Sequence, residues 1–281
     1  MLSLGIDIGG TSVKVAARDG ERWLWTGQSP FYDKPDATAL LAAVRAAVDG
    51  RLTRIDTMGL CVPGELDSTG RAIAAAVNVP GLAGLPLDDL APRALEIQPA
   101  TPVRIINDGI ATGYDIFATR KLHGRLMVIA LGTGVGAAVI DDGIPLNFDG
   151  ITQIGQFDVS IAGHDVIGPD GGAGGLEGYI GAPALARTYG SNVTAALAKF
   201  TGDEPAIAAL VRAIRISHAL YRPHHIVLAG GIGIRLGHLL PRIRAKVQHQ
   251  LTSIARENWT LSTGDTDFHA ARGVARMAGA E

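Results

Sequence analysis

Two stretches of fifteen residues, Ile6–Gly20 (IDIGGTSVKVAARDG) and Ile129–Gly143 (IALGTGVGAAVIDDG), share one layout at an offset of 123 positions. This internal repeat calls for a chain built as two similar halves. Each copy reads as an apolar strand, a turn of small residues, and a second apolar strand closed by Asp-Gly, the dipeptide of two-residue hairpin turns. A glycine turn between strands leaves backbone N–H groups outside the ladder, and concave clusters of such groups bind anions. Two of them facing each other suggest a cleft that holds a polyphosphate; taken singly, each is also an ordinary tight hairpin.

Both turns feed a strand, whereas the familiar phosphate loops feed a helix. No Gly-Lys-Ser/Thr occurs in the chain, which excludes a Walker A loop. Gly132, Gly134 and Ala137 satisfy the spacing of the dinucleotide-binding pattern. Ala137–Ile140 followed by Asp142-Gly143 reads as strand and turn, however, and the missing helix sets that pattern aside.

The 281 residues, 47% hydrophobic, suffice for one large or two medium domains, and the repeat favours two. A net charge of -2 gives no basic field for nucleic acid or an anionic membrane. The longest apolar run, Leu126–Ile140, is too short and too broken by glycine to span a bilayer. Met1 leads straight into a strand without a signal-like segment, so a cytoplasmic location is expected. Cys61 is the single cysteine; it rules out an intrachain disulfide and a multi-cysteine zinc site, and its apolar setting reads as a buried, inert thiol. His224 and His225 point opposite ways in an extended segment and are poorly placed to share a metal.

Along the chain, Asp36 and Gly50 bound a helix at its two ends. A strand over Thr57–Val62 runs into the turn Pro63-Gly64, and a strand over Val103–Ile106 ends in Asn107-Asp108 before a helix from Ile110 to about Lys121. The second hairpin, 126–146, restarts the same programme. Ten glycines fall between Asp149 and Gly181, a segment that is either a linker or a shaped binding loop, its place inside the second half favouring the loop. Helices are expected at about 183–199 and 203–221. A strand over His225–Ala229 then turns at Gly230-Gly231-Ile232-Gly233 into a helix to about Thr252, a third place where backbone approaches a nucleotide or simply a tight turn.

Two phosphate turns and an Asp-Ile-Gly-Gly-Thr segment fit phosphoryl transfer, which needs charge neutralisation, alignment and a base near the attacking hydroxyl. Asp7 is a candidate Mg2+ carboxylate, direct or through water, or a plain strand-end acid. Thr11 and Thr133 offer hydroxyls; Lys14 offers a charge or is an outward-facing hairpin lysine. Asp108 is the candidate base, at the C-terminal end of a strand where open α/β sheets put ligands. Asn107 can both donate to and accept from a sugar hydroxyl, although Asn-Asp is also ordinary helix-start chemistry.

These residues resemble the ROK sugar kinases within the actin-like ATPase (ribonuclease H-like) fold, over essentially the whole chain. Asp7-Ile-Gly9-Gly10-Thr11-Ser-Val-Lys14 is similar to the family's first phosphate motif, Leu131-Gly132-Thr133-Gly134-Val-Gly136 to its second, and Gly230-Gly231-Ile-Gly233 to its adenosine motif. Val62-Pro-Gly64-Glu-Leu-Asp67 resembles its Pro-Gly turn near the sugar, Asn78-Val-Pro-Gly81 its Asn-Leu-Pro-Gly segment, and Asn107-Asp108 its sugar-contacting Asn and catalytic Asp. The departures are as telling. Gln153-Ile-Gly-Gln156 stands where the family has Glu and His that contact the sugar, and Gly168, Asp170 and Gly175 stand at the expected zinc-ligand cysteines before Leu176-Glu177.

The resemblance implies two similar α/β domains, mixed sheets flanked by helices around a central cleft: 1–112, with a C-terminal helix in 265–281 packing back on it, and 113–264, carrying the glycine-rich sugar-site loop 149–181. It implies Mg2+ and ATP, a free hexose or close derivative as acceptor, Asp108 as general base, Gly64, Asn78, Asn107, Gln153, Gln156 and Glu177 at the sugar, and a homodimer, while the departures imply no zinc. Because an amide donates as well as accepts, Gln153 and Gln156 imply a hydroxyl preference unlike an ordinary glucokinase. A sugar-sensing relative without turnover and a polyphosphate-dependent glucokinase are the alternatives.

Overall fold

The computed structural model describes residues 1–52, 54–75, 79–146, 153–169 and 171–280. They form two compact units, one of Met1–Arg120 with the C-terminal segment from Phe268, the other of Lys121–Leu146 and the described residues of 153–267. The expected boundary at 112 falls inside a helix that belongs wholly to the first unit, so the division lies at Arg120–Lys121.

The first unit runs β1 (Leu2–Ile8), β2 (Val13–Asp19), β3 (Arg22–Gln28), α1 (Ala37–Val48), β4 (Thr57–Val62), the short hairpin β5 (Glu65–Leu66) and β6 (Ile73–Ala75), α2 (Leu87–Leu95), β7 (Arg104–Asn107) and α3 (Asp108–Arg120). Its main sheet has the order β3-β2-β1-β4-β7, antiparallel through the first three strands and parallel from β1 to β7. The second unit runs β8 (Arg125–Leu131), β9 (Val135–Asp141), β10 (Ile144–Pro145), α4 (Leu176–Ile180), α5 (Ala182–Tyr189), α6 (Val193–Leu197), α7 (Pro205–Tyr221), β11 (His225–Ala229), α8 (Gly230–Arg235), α9 (Leu240–Gln250) and β12 (Thr260–Thr263). Its sheet order, β10-β9-β8-β11-β12, repeats that of the first. A last helix, α10 (His269–Ala278), packs within the first unit on α3, β1 and β4.

The repeat is real but shifts by one residue. Four residues separate β1 from β2 and three separate β8 from β9, so the second strands match at an offset of 122. A one-residue change of register moves every side chain to the opposite face. The shift restores the pattern, since Val13, Val15 and Ala17 face one core and Val135, Ala137 and Val139 the other. It also moves the closing turns: Asp142-Gly143 turns with both φ angles positive, whereas Asp19 still pairs with Arg22 and Gly20-Glu21 makes the turn.

Asp36 caps α1 by accepting from Ala39 N–H (2.8 Å), and Asp49 and Gly50 end it with positive φ, as the caps predict. The helix expected at 183–199 is two, broken at Gly190 (φ 96°) and restarted where Asn192 accepts from Ala195 N–H. The stretch from Gly230 is likewise divided, into α8, a 3-10 turn at Gly237–Leu239 and α9, and its helix begins at Gly230 itself. β3 and α2 lie outside the sequence expectation: β3 is an edge strand without a clean apolar face, and α2 carries Pro92 inside it.

The glycine-rich segment of the second unit is a shaped loop held by its own hydrogen bonds. Val159 N–H donates to Gly174 O (2.9 Å), Gly174 N–H to Val166 O (2.9 Å) and Gly168 N–H to Gly172 O (2.8 Å). From α4, the buried Tyr179 hydroxyl accepts from Ile161 N–H (2.9 Å) and donates to His164 O (2.7 Å), closing the loop onto the helix. Asp170, assigned to a zinc-ligand position, and Asn78, assigned to the sugar, lie outside the described residues.

Tyr179→Phe keeps the ring and deletes both bonds, leaving a backbone donor and acceptor without their partner. A loss of about 1–3 kcal/mol is expected. Native-state hydrogen exchange should show it as faster exchange at the Ile161 amide, with the amides of β8 and β11 unchanged.

Candidate active site

The candidate residues of the first unit collect at the C-terminal ends of its parallel strands. Asp7 pairs in the ladder with Cys61, and Cys61 with Ile106, immediately before Asn107-Asp108. Two carboxylates therefore stand on β1 and at the end of β7, with the thiol of β4 between them. Asp7 is buried, and burial raises its pKa above the usual carboxylate range while Lys14, opposite it on β2, pulls the other way. Asp108 is half-buried; desolvation pushes it up to about 7, the nearby Asp7 charge adds to the rise, and Gly109 N–H works against it. The fully buried Cys61 thiol donates to Ile6 O (3.5 Å) and Asp7 Oδ1 (3.6 Å). Burial, then Asp7 and Asp108, drive its pKa well up, so it has no thiolate chemistry at neutral pH.

Asn107-Asp108 makes the helix-start bonds that the sequence allows. Gly109 N–H donates to Asn107 Oδ1 (2.9 Å) and to Asp108 Oδ1 (2.8 Å), which starts α3. The Asn107 amide group and Asp108 Oδ2 point to no partner among those bonds and remain chemically available for a hydroxyl.

The β1–β2 turn closes with Gly9 N–H donating to Ser12 O (3.0 Å), placing Gly10 and Thr11 at its tip. Tyr32 grips it from behind: its hydroxyl donates to Gly9 O (2.7 Å) and its backbone N–H to Thr11 O (2.9 Å). In a planar trans peptide the carbonyl of one residue and the N–H of the next point opposite ways. Fixing those two carbonyls on Tyr32 therefore aims the N–H groups of Gly10 and Ser12 away from it. Gln28 Nε2 donates to the buried Ser12 hydroxyl (3.0 Å). Tyr32 and Gln28 escaped the sequence reading because nothing local marks them; they reach the turn only because β3 folds back beside β2.

In the second unit the β8–β9 turn closes with Gly132 N–H donating to Gly134 O (3.0 Å), with Thr133 at the tip. Here α4 and α5 provide the backing. Ala182 N–H donates to Gly132 O (2.9 Å), and Val135 N–H to Glu177 Oε2 (2.8 Å). Gln153 and Gln156 lie exposed on one 3-10 turn, the Gln156 amide donating to Gln153 Oε1, and Gly155 between them is buried near Glu177. The structure thus brings Gln153, Gln156 and Glu177 to the second glycine turn.

The glycines separate by what surrounds them. A methyl built on Gly134 or Gly155 would lie 3.0 or 3.2 Å from Glu177 Oε2, and one on Gly230 (φ 76°) 2.4 Å from Leu131 O. Gly233 packs as closely, 2.8 Å from the Leu228 carbonyl carbon, while Gly231 has only the Arg235 side chain at 3.4 Å. Around Gly132 there is open space, and its φ is not positive. Gly64, after β4, has φ 89°, which favours glycine for the turn alone. Among the described residues no group of three or more His, Cys, Asp or Glu side chains is placed to hold a metal, and no helix is long and apolar enough to cross a membrane.

A parallel-edged sheet repeated in two units, each with a glycine turn after its first strand, defines the actin-like ATPase fold, and the relatives agree. The ROK family model matches residues 3–281, and the chain belongs to the ROK family. Over 213 residues it is 30% identical to a glucokinase of Halalkalibacterium halodurans, an alignment covering 68% of this chain and 60% of that protein. It is 26% identical to an N-acetyl-D-glucosamine kinase of Erwinia tasmaniensis, covering 90% and 91% of the two chains. The fold matches a ROK family glucokinase from Streptomyces griseus, solved with glucose and AMPPNP, with TM-score 0.75 and 20% identity over 99% of both chains.

Gly132→Ala should unfold within about 0.5 kcal/mol of wild type, the added methyl meeting nothing. Gly134→Ala should lose about 1–3 kcal/mol by overpacking against Glu177. Paired urea unfolding curves check both; equal losses at the two positions would refute the difference in surroundings.

Proposed function

We propose that this ROK-family sugar kinase transfers the γ-phosphoryl group of ATP to a hydroxyl of a free hexose or hexose derivative, with Asp108 as general base. The observation that carries the reading is the place of Asp108 at the strand-end edge that also holds Asp7, where desolvation raises its pKa to about 7. A base works best with a pKa near the operating pH, where it is both ionised and basic.

The fit of Asp7 to Mg2+ rests on its own surroundings: a buried, desolvated carboxylate whose side-chain hydrogen bond comes from a weak thiol donor. A single carboxylate is the usual protein contribution to a Mg2+ that keeps waters and substrate phosphates as its other ligands. Bound there, the ion would supply charge neutralisation at the phosphates. Lys14 adds positive charge beside Asp7. Gly9, Gly10 and Thr11 on one turn, and Gly132, Thr133 and Gly134 on the other, are assigned to the phosphates, and Gly230, Gly231 and Gly233 to the nucleoside.

Asn107 orients the acceptor, its amide group donating to a ring hydroxyl while its oxygen stays on Gly109. Asp108 Oδ2 takes the proton of the attacking hydroxyl as that oxygen bonds to phosphorus and the bond to the β-phosphate oxygen breaks. Gln153, Gln156 and Glu177 read the remaining hydroxyls with Gly64 and Asn78. The Gln156 amide donates to Gln153 Oε1, so a sugar hydroxyl that takes either group competes with that bond.

The test is ADP release from Mg-ATP over a panel of hexoses, amino sugars and N-acetylated sugars. Asp108→Asn should turn over about 100-fold more slowly or worse, and near-wild-type turnover removes Asp108 from the chemistry. For wild type, kcat/KM should fall about tenfold per pH unit below about 7 and level off above it, because the base must be ionised.

The same raised pKa has a cost for stability. The native state holds a proton on Asp108 that the unfolded chain has released above about pH 4, so stability from this group declines as pH rises to about 7 and is flat beyond. Asp108→Asn never ionises. It should therefore be more stable than wild type at pH 8 and lose that advantage toward pH 4 in denaturant titrations.

A further inference from the structure

The carboxylate of Glu177 is placed to shape the second glycine turn. Glu177 lies in the first turn of α4, yet its Oε2 reaches Val135, the first residue after the β8–β9 turn, and accepts its backbone N–H at 2.8 Å. The contact is built into the packing. Gly134 and Gly155, from two different loops, would each bring a methyl to 3.0–3.2 Å from this oxygen. Gly181 would bring one to 2.9–3.1 Å from the Glu177 backbone oxygen, its Cγ and the Thr133 carbonyl. Three positions are thus clear of side chains where this one residue passes, and the N–H of Val135 is spent on it.

We infer that Glu177 is a positioning residue for the phosphate-binding turn Gly132–Gly134, so that nucleotide affinity depends on the reach of this side chain even when no sugar is bound. Peptide geometry gives the means. Val135 N–H held on Glu177 turns the Gly134 carbonyl the opposite way, onto Gly132 N–H (3.0 Å), and Ala182 N–H on Gly132 O turns Thr133 N–H away from α5. Glu177 and Ala182 are five residues from each other along one helical stretch and its junction, so they clamp the turn from a single support. Without the carboxylate, Val135 N–H loses its acceptor and the turn loses one of its two anchors.

This inference rests on the nucleotide-binding reading of the turn, and its test separates the two. Binding of Mg-AMPPNP to the full chain without sugar is measured by titration calorimetry for wild type, Glu177→Gln, Glu177→Asp and Glu177→Ala. Gln keeps the reach and an acceptor oxygen but no charge; Asp keeps the charge but falls short of Val135 N–H. Glu177→Gln should stay within about threefold of wild type, and Glu177→Asp and Glu177→Ala should bind about tenfold more weakly. A role confined to sugar hydroxyls would leave all three at wild-type nucleotide affinity, and that result overturns the inference. Weak binding by Gln together with wild-type binding by Asp also overturns it, because charge and not reach would then matter. Wild type that binds no nucleotide defeats the underlying reading as well. Should Glu177→Ala fail to fold, the Gln–Asp pair decides.

Discussion

Asp7 and Asp108 are two carboxylates at one sheet edge; desolvation raises the pKa of both, and the charge of Asp7 makes Asp108 harder still to ionise. Like charges in low dielectric repel far more than in water, so the arrangement persists only if the fold imposes it. The parallel pairing of β1, β4 and β7 does so, fixing Asp7 beside Cys61 and Cys61 beside the residue before Asn107. A thiol suits the place between them: small, buried and a weak donor, it adds no charge and barely satisfies Asp7. Lys14, opposite Asp7 on β2, offsets with its positive charge part of the cost of burying Asp7.

Each glycine turn is held by a different chemistry toward the same end. Tyr32 takes two carbonyls of the first turn; Glu177 and Ala182 take an N–H and a carbonyl of the second. Since a peptide's carbonyl and the following N–H are antiparallel, pinning one group behind the turn aims its neighbour forward. A flexible glycine loop thereby acquires a fixed direction, and the ordering entropy is met by folding and not by ligand binding.

Much of this was legible in the chain because the relevant physics is local. The apolar strands, the Asp36 cap, the strand-end Asp108 and the glycine turns announce themselves within a few residues. Other features depend on distant partners. The one-residue difference between the two hairpin loops is invisible in an alignment of Ile6–Gly20 with Ile129–Gly143, because both loops are small residues and only pairing across the ladder reveals where each strand resumes. Gly190 broke a helix that periodicity carried through, and Tyr32 reaches the first turn only by way of β3.

The glycines show how far a motif can be trusted. In the pattern Gly132-Thr133-Gly134 both glycines look alike, and the same reading, room for a phosphate, would serve for each. The packing says otherwise. Gly134 is glycine because Glu177 occupies the space, as Gly230 is glycine because Leu131 O does and Gly5 because α10 does, its added methyl falling 1.9 Å from Ala271 O. Gly132 has neither a close neighbour nor a left-handed φ, and a bare Cα there weakens the unfolded-to-folded balance relative to alanine with no return in packing. Gly132 is therefore the glycine of this turn that the protein's own contacts leave unexplained, which is why we propose that a ligand passes close to its bare Cα.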